Sequence, residues 1–217
     1  KYKMVKLSLI LSIILFILFP SLSSEEFIPT KNCFEVGEYL NSIKWDYTGD
    51  LVAIGGKDGV YLYDKEFLFL DFLTIPDEFY VIGIDWDLTT NYLAVLYGSG
   101  NIYIWDVEQK QIISSWRSSL YTPNDLTWIP DSSIIAVLSY DGVSFHDYLS
   151  SENSSNYSPQ SPLLVASNIE SINSGEFVIF QFSSTNSVPI VIFDLESNSE
   201  ITRIDETVSF IFTWDTN

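Results

Sequence analysis

Cysteine occurs once, at Cys33, and histidine once, at His146, in a chain of 217 residues. A single thiol closes no intrachain disulfide and assembles no thiolate metal site, so the fold must rest on its core. Cys33 sits in a β-like run, Asn32-Cys33-Phe34-Glu35-Val36, and reads as a buried free thiol without chemistry of its own. Basic residues are scarce as well: 10 Lys and Arg stand against 29 Asp and Glu, for a formal charge of −19. Three of them, Lys1, Lys3 and Lys6, precede an apolar leader, which leaves the rest of the chain at about −22. Binding to nucleic acid or to anionic lipid depends on Lys and Arg neutralising phosphate, so this balance argues against both partners. Solubility is the plain reading of the acidity.

Catalytic constellations are missing too. Gly55-Gly56 and Gly98-Ser99-Gly100 lack the Lys-Ser/Thr tail of a phosphate-binding loop. His146 has no Ser or Cys nucleophile motif beside it, which leaves it a structural position on a strand. The carboxylates are scattered over turns, and no spacing among them marks a glycosidase pair or a calcium loop. We expect no cofactor, no metal and no enzymatic activity.

What the chain does have is 47% hydrophobic and 16% aromatic residues, enough to bury a core. The apolar residues come in short bursts broken by Gly, Asn, Asp and Ser, the punctuation of strands, so the expected class is all-β. The start differs. Lys1 to Lys6 is basic, Leu7 to Phe19 is apolar apart from Ser8 and Ser12, and Pro20-Ser21-Leu22-Ser23-Ser24 is small and helix-breaking. That is the outline of a secretory signal peptide over residues 1–24, cleaved after Ser23 or Ser24, followed by a linker at 25–32. The apolar run is shorter than the roughly 20 residues a spanning helix needs, so an uncleaved anchor over residues 5–19 is the alternative. The expected location is therefore secreted or in the endomembrane lumen, with membrane contact only if the signal stays as an anchor.

An internal repeat organises the remainder. Leu40-Asn41-Ser42-Ile43-Lys44-Trp45-Asp46 returns as Val81-Ile82-Gly83-Ile84-Asp85-Trp86-Asp87 and, more loosely, as Pro123-Asn124-Asp125-Leu126-Thr127-Trp128-Ile129. Further copies centre on Ser171 and Trp214, and the successive spacings from Trp45 are 41, 42, 43 and 43 residues. Each copy leads through a turn to an apolar strand, a tight turn and a strand ending in aromatic-Asp or His-Asp. The tight turns include Lys57-Asp58-Gly59 and Tyr140-Asp141-Gly142, where glycine tolerates the positive φ that a hairpin demands. A last strand follows, as at Phe67 to Phe72, Gln111 to Trp116 and Glu200 to Ile204.

These units resemble the WD40 repeat, with its terminal Trp-Asp intact at Trp105-Asp106. The resemblance covers residues 33–217 and implies a partial β-propeller of about four four-stranded blades. The repeats fall at 39–74, 80–117, 122–167 and 168–206, with the first strand of a fifth at 207–217. Family rings hold about seven blades, so the chain reads as a fragment, with Asn32 to Val36 as the strand that would close the last blade. The family's Gly-His before the first strand is absent near Glu35-Val36, Pro76-Asp77 and Ser118-Ser119. Without its buried His-Asp network the blades should lean on apolar packing. Asp58 and Asp141 keep the family's turn aspartate. The polar stretch Leu149 to Pro162 reads as a flexible loop between the third and fourth strands of the third repeat, and it carries two glycosylation acceptors, Asn153 and Asn156.

The resemblance implies a non-catalytic protein–protein interaction scaffold whose partner is a protein. The alternative is an exported propeller with a small-ligand or hydrolytic site in its central channel, completed by further blades. A partner would sit on the face shared by the segments leading into each first strand and the turns between second and third strands. That face holds Tyr39, Lys57, Phe79, Tyr80, Tyr121 and Tyr140, and aromatic rings there offer large contact area at low entropic cost.

Overall fold

The computed structural model describes residues 38–120, 122–140, 142–150, 153–157, 165–172, 177–183 and 190–204. All of them fall in one compact unit, Val36–Asn217. The leader, Cys33, the strand expected at 32–36, the linker and the fifth unit at 207–217 lie outside the described residues.

Four antiparallel four-stranded sheets follow one another along the chain, each a meander of consecutive strands. Blade 1 is β1 (Ser42–Trp45), β2 (Leu51–Gly55), β3 (Val60–Asp64) and β4 (Phe69–Leu73). Blade 2 is β5 (Val81–Trp86), β6 (Tyr92–Tyr97), β7 (Asn101–Asp106) and β8 (Gln111–Arg117). Blade 3 is β9 (Pro123–Trp128), β10 (Ile134–Ser139), β11 (Gly142–Asp147) and β12 (Asn153–Tyr157). Blade 4 is β13 (Val165–Ile172), β14 (Phe177–Ser183), β15 (Ile190–Asp194) and β16 (Ser199–Ile204). The first strands β1, β5, β9 and β13 lie side by side in that order.

Strand composition follows from position in the blade. The second strands β2, β6 and β10 are covered on both faces and read as nearly continuous apolar runs, LVAIG, YLAVLY and IIAVLS. The fourth strands have a neighbour on one side only and tolerate polar sequence, as in QIISSWR, most of which is exposed. This corrects the reading of 149–162 as a flexible loop. Asn153–Tyr157 is the fourth strand of blade 3, paired with β11, and the fourth blade begins at Val165 instead of 168. An outer strand needs ladder hydrogen bonds more than apolar side chains, and Asn and Ser supply backbone for those as well as Val does.

Register repeats as faithfully as sequence. In each of blades 1 to 3 a tryptophan closes the first strand, and cross-strand rows run Trp45–Val52–Tyr63–Phe69, Trp86–Leu93–Trp105–Ile112 and Trp128–Ile135–His146–Asn153. The residue before each tryptophan starts a row on the opposite face: Lys44–Ala53–Leu62–Asp71, Asp85–Ala94–Ile104–Ser114 and Thr127–Ala136–Phe145–Ser155. A bulge between third and fourth strands recurs in all four blades, at Leu62/Tyr63, Ile104/Trp105, Phe145/His146 and Ile192/Phe193. It adds one residue to the fourth strand and bends it.

The core is a series of seams between neighbouring blades, as expected where each repeat packs on the next. Ala53, Val60 and Leu62 of blade 1 pack with Ile84, Trp86 and Leu93 of blade 2. Ala94, Leu96 and Ile104 of blade 2 pack with Leu126, Trp128 and Ile135 of blade 3. Ala136 and Phe145 of blade 3 pack with Val191 and Phe193 of blade 4, the two phenylalanine rings stacked at 5.5 Å. His146 is buried on β11, stacked at 4.0 Å on the ring of Trp116.

Candidate binding face

The lead-in segments and the hairpins between second and third strands are laced together at one end of the blades. Asn41 N donates to Gly55 O at 3.0 Å and Lys57 N to Glu38 O at 3.0 Å, which holds the first lead-in against its own hairpin. Tyr80 N donates to Lys57 O at 2.6 Å and Val81 N to Gly56 O at 2.9 Å, which ties the second lead-in to the hairpin of blade 1. Gly98 N then donates to Tyr80 O at 2.9 Å. Non-glycine residues with positive φ stand at the equivalent point of three lead-ins, Tyr39 at 52°, Tyr80 at 59° and Thr122 at 46°. A left-handed residue there turns the chain sharply into the first strand, at a cost that the surrounding hydrogen bonds offset.

This lacing brings Tyr39, Lys57 and Tyr80 together. The Tyr39 and Tyr80 rings meet edge to face at 6.2 Å, and Lys57 Nζ lies 3.3 Å from Glu38 Oε2. That hydrogen bond, and then the Glu38 charge, raise the Lys57 pKa. Tyr39 is 68% exposed, Phe79 57% and Tyr80 47%, so three rings project from a hydrogen-bonded frame. Tyr140 is also exposed, on the corresponding hairpin of blade 3, two blades from the hairpin that carries Lys57. Tyr121 and Asp141 lie outside the described residues. Gly59 closes the first hairpin with φ at 150°, where a Cβ would stand 2.3 Å from Leu73 O. Asn153 and Asn156 fall on the outer strand β12, with Asn156 exposed.

Behind the rings lies a polar network that the sequence did not announce. Glu78, 8% exposed, accepts hydrogen bonds from Ser99 Oγ at 2.7 Å, from Asn101 Nδ2 and from Tyr103 OH at 3.1 Å. Burial, and then the bond to Glu78, raise the Tyr103 pKa. Burial first and Glu78 second drive the Tyr97 pKa far up, and its hydroxyl has no hydrogen-bond partner among the described residues. The expectation that blades without the family's histidine rely on apolar packing therefore needs amending for blade 2. There the lead-in supplies a buried carboxylate and the hairpin supplies the donors. A lone Glu between Asp77 and Phe79 gives little signal, because its partners are 21 to 25 residues away.

At the other end of the blades, Leu51, Leu62, Leu70 and Val107 floor a cleft of about 280 Å³ between blades 1 and 2. Its rim carries a cross-blade ion pair, Lys110 Nζ to Asp71 Oδ2 at 2.6 Å, whose hydrogen bond holds the Asp71 carboxyl below the usual range. No group of three or more His, Cys, Asp or Glu among the described residues could hold a metal ion.

Four meandering sheets with side-by-side first strands and seamed faces define a β-propeller fold. Among solved structures, the β-propeller domain of Myceliophteria thermophila Cps50 (Swd1) is similar, with a TM-score of 0.71 and 16% identity over 84% of this chain and 60% of that one. In sequence, a WD repeat-containing protein of Dictyostelium discoideum is 29% identical over 109 residues, 48% of this chain and 6% of that protein's length. No family model matches. These likenesses and the 41- to 43-residue repeat support a β-propeller fold of about four blades that is similar to divergent WD40-repeat propellers.

Proposed function

We propose that the chain is a non-catalytic scaffold of the exported or endomembrane pathway, which receives a protein partner on the face formed by Tyr39, Lys57, Phe79 and Tyr80. The observation that carries this reading is the set of exposed rings held on a hydrogen-bonded frame. Exposed aromatics on rigid backbone are what interface hot spots require, because little side-chain freedom is lost when a partner covers them. The acidic body steers the choice of partner toward proteins with a neutral or basic face and away from nucleic acid. The export part rests on the basic, apolar and small-residue sequence of Lys1 to Ser24 alone.

The test has two arms. A partner recovered with the wild-type protein should bind Tyr39→Ala and Tyr80→Ala each about 5- to 150-fold more weakly, with unchanged urea unfolding, as removal of a hot-spot ring implies. Normal binding by both variants rejects the assigned face. N-terminal sequencing of the mature protein should begin near Ser24 or Glu25, and a cytosolic product retaining Met4 rejects the export pathway.

A further inference from the structure

Two seams of the same design are finished differently at the end of the blades opposite the aromatic face. The residue after the third strand is Val107 in blade 2 and Tyr148 in blade 3. They are structural equivalents. The Val107 amide donates to Asn91 O at 3.0 Å and the Tyr148 amide to Ser133 O at 3.0 Å, in each case the carbonyl just ahead of the second strand. In the seam between blades 2 and 3 the tyrosine ring fills the space, meeting Trp128 at 5.3 Å and Tyr92 at 6.3 Å, while its carbonyl accepts from Ser114 Oγ at 3.2 Å. Val107 is too short to do the same between blades 1 and 2. Leu51 stands there in place of Tyr92 and Asp71 in place of Ser114, and the cleft of about 280 Å³ over Leu51, Leu62 and Leu70 stays open.

Size and charge narrow what the cleft can take. A dry apolar cavity of about 150 Å³ admits benzene, whereas sites for whole small molecules run from about 300 Å³ upward. The cleft therefore suits one large side chain and little more. The four turns that frame this end of blades 1 and 2, residues 46–50, 64–68, 87–91 and 106–110, carry seven Asp and Glu against two Lys. Both lysines are in ion pairs, Lys65 with Asp50 at 2.9 Å and Lys110 with Asp71 at 2.6 Å. Glu108, exposed on the rim, accepts from Asn91 Nδ2 at 3.3 Å and is in no ion pair among the described residues. A partner that covers this rim without leaving carboxylates opposed must bring cations to it.

We infer that the cleft between blades 1 and 2 receives one large apolar side chain, leucine or an aromatic, from a linear segment of a partner protein with lysine or arginine on either side of it. The apolar group takes the place that the Tyr148 ring holds one seam further on, and the flanking cations face Glu108 and Asp71. This site lies at the end opposite Tyr39 and Tyr80, and it stands or falls independently of them.

Fluorescence anisotropy on the full chain tests this with labelled peptides in which Leu, Phe or Ser stands between two Lys-Arg pairs, and with a leucine peptide in which Glu replaces every Lys and Arg. The better of the two apolar basic peptides should bind about 10- to 150-fold more tightly than the serine peptide of equal charge, the ratio expected for burying one such side chain. The acidic peptide should bind more weakly than any of them. Val107→Tyr fills the cleft with the residue that blade 3 carries, and Leu70→Glu, at a half-exposed position, lines it with charge. Each should bring the apolar peptides down to the affinity of the serine peptide while far-UV circular dichroism keeps its native form. General attraction between a basic peptide and an acidic protein predicts the reverse for Leu70→Glu, which adds a negative charge. Equal binding of the apolar and serine peptides overturns the inference, as does undiminished binding by either folded variant. Binding of the acidic peptide as tight as that of the basic ones assigns the cleft to a partner of other chemistry and overturns it too.

Discussion

Trp86 donates its indole hydrogen to the carbonyl of Lys44, 42 residues earlier and one blade away. The bond is made possible by Ala53, whose small side chain lets the indole of blade 2 lie against the sheet of blade 1. Trp45, at the same position of its own blade, has no such cover and is 45% exposed.

Trp86→Ala should therefore cost about 3–5 kcal/mol, the range for truncating a large buried ring. Trp45→Ala in the same 217-residue chain should cost well under half of that. Urea unfolding followed by far-UV circular dichroism measures both. Equal losses at the two sites would contradict the difference in burial.

Asp85 joins three blades. Its Oδ2 accepts from the Trp128 amide at 2.7 Å and from Thr127 Oγ1 at 3.1 Å, and Lys44 Nζ lies 3.5 Å from its Oδ1. Asp85→Ala strands a backbone donor at a seam and should cost about 1–3 kcal/mol. Asp85→Asn, which keeps an acceptor oxygen, should cost less. Most of the loss should survive 1 M salt in the unfolding assay, since screening weakens the partly exposed Lys44 pair and leaves the neutral donors alone.

Glu78→Ala should loosen the frame behind the exposed rings. Ser99, Asn101 and Tyr103 then lose a common acceptor, at a cost of about 1–3 kcal/mol. Glu78→Gln retains one acceptor oxygen and should fall between. Amide hydrogen exchange at residues 98–101 should quicken in the alanine variant, and unchanged exchange there would separate Glu78 from the hairpin it is argued to hold.

Stability should fall at both ends of the pH scale. Asp71 is held below its ordinary range by Lys110, Asp147 by Ser133, and Glu200 by Arg203. Their folded-state pKa values are depressed, so their contribution is present above the unfolded carboxylate range and is lost as pH falls through the lowered values. Tyr157 behaves in the opposite sense: burial, and then the bond to Glu200, raise it from 10.0 to about 12. Its contribution is present below about 10 and is lost as pH rises toward about 12. Thermal unfolding across pH 9 to 12 should show this loss, and Tyr157→Phe should lessen it, with the remainder carried by the other tyrosines whose pKa burial raises, Tyr97 and Tyr103 among them.

Gly59→Ala should destabilise blade 1 by more than about 1 kcal/mol, because the hairpin φ of 150° disfavours a side chain and the new carbon would meet Leu73 O. Thermal unfolding of the variant provides the measurement.

The repeat was legible because it is written in residues that seams require. Trp45, Trp86 and Trp128 mark the ends of first strands, and Asp58-Gly59 marks a hairpin, each from local sequence. β12 was not legible, because Asn153–Tyr157 forms a strand through backbone pairing to one neighbour and has the composition of a loop. The fourth strands mislead in another way, since the bulge shifts their alternation by one residue, so that Phe69 rather than Leu70 aligns with Tyr63. The aromatic face was readable as a set of exposed positions. Its support was not, since Glu78 acquires meaning only when folding brings Ser99, Asn101 and Tyr103 to it.

The recurring bulge also bears on how these molecules behave in a crowd. The fourth strands β4, β8, β12 and β16 are the outer edges of their sheets, and an outer edge with open backbone groups is a template for strands of other molecules. One extra residue, the second or third of each edge strand, puts the backbone groups before it out of step with those after it. An incoming straight strand could then match the edge on one side of the bulge only. A sequence with exposed Leu70, Ile113 and Ile201 on those edges thus carries its own guard against fibrous self-assembly, set in the backbone and independent of its charge.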